Sequence, residues 1–364
     1  MRKKEKSSML SYGNIGNKRR ENLLKMQKSM IGIDIGFSAI KIVQIKNNKV
    51  VKCGMKTIPE GMMNQGRIME PSQLVSNIKL LLKENKISGD LCAICISGNE
   101  IIVREMKLPE MNENQIMENV RQEITSFLPI NQEEYIVDYK ILDYIEPKEG
   151  VNGKLKIMVA AVPNSMAQSY LDVLKMANLK ICYIDVFPNI AGKLAQQITS
   201  GKAGNIGIID FGAYSTNFII TKDGNYILHK TMTNGGDYLT TQISKKYNID
   251  MLDAEEMKKK KDFFVNNYQN GENRFVETYM NYLVTDMERT IDFFKNNNNQ
   301  VGLDSIYITG GGSLLKGLPA FLNQHLNLEI NHLSNALRQY TRNNSTSDEM
   351  AFYAHAIGST LREE

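Results

Sequence analysis

Residues 31–57 read IGIDIGFSAIKIVQIKNNKVVKCGMKT, and residues 206–232 read IGIIDFGAYSTNFIITKDGNYILHKTM. The two stretches share one grammar. Each opens with a short apolar, β-branched run ending at Asp-x-Gly, with the aspartates at Asp34 and Asp210. A hydroxyl follows, then a second apolar run, a polar turn (NNK or KDG) and a third run. Two β-meanders of one design, 176 residues apart, predict two similar lobes. Duplicated lobes commonly enclose a ligand in a cleft, which would set the two turns facing each other.

The turns point to the chemistry of that ligand. A glycine after the strand lets backbone N–H groups approach a phosphate, and a nearby hydroxyl adds a donor. A carboxylate beside phosphates repels them unless a divalent cation lies between. Asp34 and Asp210 therefore suit the waters of a Mg²⁺ ion, which ordinarily keeps several. A third loop, Gly310-Gly311-Gly312-Ser313, follows the strand IYIT. Bare backbone there accommodates a flat ring or a phosphate, the alternative being a tight strand-to-helix connection. Gly235-Gly236 before Asp237 is a further close-approach point, or simply a helix N-cap.

The rest of the chain is punctuated by amphipathic helices. Apolar spacing predicts them over 71–86, with Pro71 in the first turn, over 111–128, and over 165–179. Strands are expected over 134–145 and 156–163, making 104–170 a small inserted α/β subdomain. Further helices are expected after Gly236, at 253–266, at 272–296 and at the C-terminus. The run KKKK (258–261) reads as a solvated helix face. The resulting division is a basic arm (1–30), a first lobe (31–103 and 171–200), the insertion (104–170), a second, nucleotide-binding lobe (201–345) and a C-terminal helix (346–364).

Composition narrows the setting. At 364 residues, two or three domains are expected. No apolar run approaches the ~20 residues of a membrane span. The start, MRKKEKSSML, lacks a signal-peptide core, so a cytoplasmic location is expected. Cys92 and Cys95 have C-x-x-C spacing but lie in the strand-like run LCAICIS, where residues three apart point to opposite faces. They read as two core residues. The net charge of +4 conceals +7 within residues 1–30, which reads as a solvated tail or as a basic arm touching acidic lipid headgroups. Without interleaved aromatics there, no nucleic-acid partner is expected.

In order along the chain, these motifs resemble the actin, Hsp70 and sugar-kinase superfamily, an α/β, ribonuclease H-like, two-lobed ATPase fold. More closely, the chain is similar to the PilM family of type IV pilus assembly proteins, relatives of the division protein FtsA. The resemblance rests on IGIDIGFSAIKIV, LPEMNENQIMENVRQEITSFLPINQEEYIVDYKIL, IGIIDFGAYSTNFII, TNGGDYL, MERTIDFF, IYITGGGSLLKGL and AFYAHAIGSTLR, covering about 31–364.

The resemblance implies ATP and Mg²⁺ as ligands. Asp34 and Asp210 would hold the ion through water. Gly36, Ser38, Gly212, Ser215 and Thr216 would line the phosphates, and Lys41 would face them. Gly235 and Gly236 would approach the ribose, and Gly311, Gly312 and Ser313 the adenine; Arg289 would be an adenine neighbour or a surface ion pair. The family usually has Ser three residues after the first aspartate, whereas here Phe37 comes first and then Ser38. Catalytic residues stay unassigned. Where brisk ATPases place a water-orienting Glu or Gln, this chain reads DVFPNIAGKLAQQI, with Asp185 and Asn189 the nearest polar groups. Slow or negligible hydrolysis is expected.

The implied function is an ATP-binding scaffold at the inner face of the membrane. It would bind the cytoplasmic N-terminus of a PilN-like membrane protein through the insertion, alongside other pilus assembly components. Two alternatives stand beside it. One is an FtsA-like, membrane-associated filament former, although GSTLREE at the C-terminus differs from the apolar anchor of that kind. The other is a small-molecule kinase, for which no catalytic aspartate stands out.

Overall fold

The computed structural model describes residues 29–127, 132–147, 153–264, 274–340 and 347–361. The expected basic arm, up to residue 28, lies outside the described residues. The chain divides into two compact units. One holds the described residues up to Lys193 together with those from His355, and the other is Leu194–Ala354.

The first unit starts with the meander β1 (Met30–Ile35), β2 (Ala39–Lys46) and β3 (Lys49–Thr57). A small hairpin, β4 (Met63–Asn64) and β5 (Arg67–Ile68), leads to helix α1 (Pro71–Glu84) and strand β6 (Leu91–Ile96). The insertion follows as β7 (Ile102–Pro109), α2 (Glu113–Phe127), β8 (Tyr135–Ile145) and β9 (Lys154–Pro163). Then come α3 (Asn164–Met176), β10 (Lys180–Val186) and α4 (Phe187–Ile198), in which the boundary between units falls.

The second unit repeats the meander as β11 (Asn205–Phe211), β12 (Thr216–Lys222) and β13 (Asn225–Met232). Helices α5 (Gly236–Tyr247), α6 (Met251–Lys260) and α7 (Arg274–Asn297) precede β14 (Ser305–Thr309). A 3₁₀ turn over Gly311–Leu314 opens onto α8 (Leu318–Leu326), β15 (Ile330–His332) and α9 (Leu333–Leu337). The C-terminal stretch, expected as one helix, is 3₁₀ over Ser347–Tyr353 and becomes α-helical as α10 (Ala354–Thr360), back in the first unit.

The duplication read from the sequence is the duplication found. The first sheet runs β10-β6-β1-β2-β3 and the second β15-β14-β11-β12-β13. In each, the meander is antiparallel and the two strands beyond its first member are parallel to it. Even the hairpin turns correspond. Asn47 and Asn48 have φ of 50° and 57°, Asp223 and Gly224 53° and 72°. Two successive positive φ values make the turn that matches strand twist, which explains the NN and DG pairs. Strands β1 and β11 are buried throughout, as strands covered on both faces require.

In α1, Pro71 occupies the first turn and Leu74, Val75, Ile78 and Leu81 form the buried stripe. The insertion is a three-stranded sheet, β7-β9-β8, backed by α2. Ile116, Val120 and Ile124 of the helix meet Leu108, Ile157 and Val159 of the sheet. Cys92 and Cys95 lie in β6, both buried and unbridged, as core residues.

Candidate functional site

The site residues of the first unit gather at the carboxyl end of β1. Across the β1–β2 ladder Asp34 stands directly opposite Lys41, and directly opposed side chains come within bonding reach. Their ion pair measures 2.9 Å, with the Asp34 side chain only 8% exposed. Gly36 N–H donates to the Ala39 carbonyl at 3.0 Å and closes the turn. Ser38 is exposed at its tip. Burial opposes ionisation of Asp34, but the Lys41 ammonium and the His355 imidazole outweigh it and hold the carboxyl well below the usual range.

The second unit brings four segments together. In the turn after β11, Gly212 N–H donates to the Ser215 carbonyl at 3.0 Å, the same closure as at Gly36. The Gly235 turn is stitched to it, with Gly236 N–H donating to the Gly212 carbonyl and Asp237 N–H to the Ala213 carbonyl, both at 2.9 Å. A Cβ on Gly235 would collide with the Ala213 backbone, so this junction requires glycine. The buried Thr216 hydroxyl donates to the Asn234 carbonyl at 3.0 Å, which ties the same turn to β12. The parallel register of β11 and β14 then sets Asp210 beside Thr309, and Gly310 (φ 80°) turns the loop against the Asp210 carboxylate. Gly311 and Gly312 follow, Gly311 exposed. Ser313 is buried and donates its hydroxyl to the Gly310 carbonyl at 2.7 Å. Arg289 is exposed and makes a loose ion pair with Asp286 at 3.7 Å.

The KKKK run departs from the expected solvated face. Within KKKK, Lys258 is buried rather than solvated. Its ammonium donates to the Gly236 carbonyl at 3.1 Å and to the Thr240 hydroxyl at 2.8 Å, and pairs with Glu255 at 2.6 Å. The signal lay in the helix period: Lys258 is one turn beyond the buried Ala254, so one of four lysines faces inward. Tyr279 was also missed; its hydroxyl donates to the Gly235 carbonyl at 3.1 Å. So was His355, whose Nδ1 lies 3.7 Å from Asp34 Oδ1. Asp185 is buried and engaged by Lys193 at 2.6 Å and by Asn189 at 2.9 Å. Asn189 in turn accepts from Lys140 of β8 at 3.2 Å.

No three His, Cys, Asp or Glu side chains among the described residues converge as a direct metal cage. Taken separately, the carboxylates of Asp34 in the first unit and Asp210 in the second each offer the hard oxygens that Mg²⁺ takes alongside water and phosphate. In the insertion, β7 is an edge strand. A groove of about 260 Å³ runs beside it, lined by Ile102, Arg104, Met106 and Leu108 with Glu123 and Ile124 of α2. No helix among the described residues is long and apolar enough to cross a membrane.

Comparison with known proteins follows the same lines. The profile of the family described as "Type IV pilus assembly protein PilM" matches residues 32–364. A solved PilM-PilN type IV pilus biogenesis complex contains a chain of similar fold, with a TM-score of 0.77 and 24% identity. That likeness covers 91% of this chain and 97% of the other. MreB 5 of Spiroplasma citri, solved with AMPPNP, is similar at a TM-score of 0.53 and 12% identity, covering 91% and 95%. Cell division protein FtsA of Bacillus subtilis (strain 168) is 22% identical over 251 residues, 63% of this chain; the match spans 57% of FtsA. The fold is thus actin-like.

Proposed function

The chain belongs to the type IV pilus assembly protein PilM family, and on that basis we propose that it is a cytoplasmic, nucleotide-binding scaffold of the pilus assembly machinery, recruited to the membrane by a PilN-like partner. The observation that carries this reading is the family match over residues 32–364. The solved PilM-PilN complex, one chain of which has a similar fold, supports the choice of partner.

The nucleotide part draws support from the second unit, where the Asp210 turn, the Gly235 turn, the glycine loop and Lys258 converge. By the family relationship, Gly36, Ser38 and Lys41 of the first unit and Gly212 and Ser215 of the second would each offer donors to nucleotide phosphate, and Gly235, Gly236, Gly311 and Gly312 of the second would approach the adenosine. Mg²⁺ would be held through water by Asp34 and Asp210, where it would neutralise phosphate charge. Thr216 and Ser313 serve by fixing the backbone of these turns, since their hydroxyls bond carbonyls within them. The engagement of Asp185 with Lys193 and Asn189 supports slow or negligible hydrolysis, because neither polar side chain is poised to orient a water.

The partner face is assigned to the insertion. An edge strand with a groove beside it that mixes apolar and charged side chains suits an extended peptide, main-chain bonds supplying affinity and pockets selecting side chains. The test is titration of the full chain with a peptide of the cytoplasmic N-terminus of its PilN-like protein, with and without ATP and Mg²⁺. Saturable binding that Met106→Asp abolishes is expected. A peptide that binds the variant as well as the wild type contradicts the assigned face. The relation to FtsA favours filament formation as a second reading, for which ATP-dependent sedimentation and microscopy are the test.

A further inference from the structure

His355 is delivered to Asp34 by features far apart in sequence. Gly32 and Asp34 lie two apart on β1 and so point to one face. At Gly32 the bare backbone admits α10, and a Cβ there would collide with the Ala356 carbonyl. Three further contacts fix α10. Gly358 packs on Ile190 of α4, the Ser359 hydroxyl reaches the Ala93 carbonyl at 3.4 Å, and Lys193 donates to the Leu361 carbonyl at 3.2 Å. At its first turn the His355 ring stacks on Phe187 with centroids 3.9 Å apart and planes at 26°. Its Nδ1 is then 3.7 Å from Asp34 Oδ1 and 3.9 Å from the Cys95 sulfur. Lys41 holds the other oxygen, Oδ2, at 2.9 Å.

We infer that His355 is a positioning residue for Asp34: with Lys41 it fixes the orientation in which the carboxylate meets a hydrated divalent cation. The inference rests on the nucleotide reading above. A wall against Phe187 needs only apolar bulk, which leucine supplies; the polar ring edge toward Oδ1 is what leucine lacks. Groups that orient direct metal ligands typically change metal affinity 10–100-fold when removed, and for Asp34, which would act through water, the low end of that range is expected.

The test uses the full chain and its His355→Leu and His355→Gln variants. ATP binding is titrated calorimetrically across a range of Mg²⁺ and again in EDTA. Thermal unfolding without ligand checks each fold, and His355→Ala carries the same expectation as leucine should the leucine variant not fold. The leucine variant should need about tenfold more Mg²⁺ for half-saturation while its ATP affinity in EDTA is unchanged. Glutamine, which keeps a polar end, should stay within about twofold of wild type on the same scale. A leucine variant with wild-type Mg²⁺ dependence overturns the inference alone. Equal loss in both variants that persists in EDTA also overturns it, in favour of a packing role. A wild-type chain that binds no ATP at any Mg²⁺ concentration overturns the nucleotide reading and this inference with it.

Discussion

Asp34 and Asp210 end equivalent strands but meet different neighbours across the ladder, Lys41 for the first and Asn217 for the second. Lys41 entered the reading through the family resemblance, as a phosphate-facing residue; its place directly opposite Asp34, set by the turn from Gly36 to Ser38, is seen in the structure. The burial of Lys258 was not legible, since a charge run conceals which of its members faces inward. Its pairing gives a prediction with a definite sign. Burial opposes the charge on Glu255, but Lys258 and the Thr240 hydroxyl outweigh it and hold the carboxyl below the usual range. A depressed carboxyl contributes stability that is present above its unfolded pKa and lost as pH falls through the folded value. Glu255→Gln should therefore destabilise the chain at neutral pH, the difference closing only in acid below the ordinary glutamate range. Denaturant unfolding across pH reads this, and a pH-independent difference would refute it. Burial likewise pushes the Cys92 and Cys95 thiols up, whereas Cys53 and Cys182 are half-buried. Alkylation of folded protein near neutral pH should label Cys53 and Cys182 and spare the other two until unfolding, as peptide mass spectrometry would show.

At the scale of elements, both meanders were legible because short apolar, β-branched runs separated by NN or DG turns leave few alternatives. The short strands β4, β5 and β15, of two or three residues, carry too little pattern to be seen. The last helix was legible as a helix but not in its start or its role, because a contact between His355 and Asp34 spans 321 positions. What the sequence did hold was Gly32, whose bare backbone the helix needs. Gly32→Ala should cost about 1 to 3 kcal/mol by overpacking against Ala356. Ile157→Ala in the insertion core should cost about 2 to 5 kcal/mol, since its side chain is fully buried between sheet and α2. Denaturant midpoints at unchanged slope would measure both, and a neutral Gly32→Ala would contradict the close approach of α10.

At the scale of the molecule, one sheet plan used twice explains why the chain carries two Asp-x-Gly turns at equivalent places, while the Gly310–Gly312 loop belongs to the second unit. That loop follows β14, whose counterpart β6 leads instead into the insertion. The first unit thus carries an inserted subdomain at the position where the second carries a glycine loop. The insertion was legible as a block because its helix and strands are long. The groove beside β7 was not, since a groove depends on how α2 lies over the sheet. The central claim, that the chain binds nucleotide through its duplicated turns, is tested most directly by thermal stability under titration with ATP and Mg²⁺, with Asp210→Ala alongside. At 100 times Kd a bound ligand adds about 2.7 kcal/mol. The account predicts a rise in midpoint for the wild type that Asp210→Ala loses; no shift in the wild type at millimolar ATP would contradict it and leave an adaptor without a nucleotide switch.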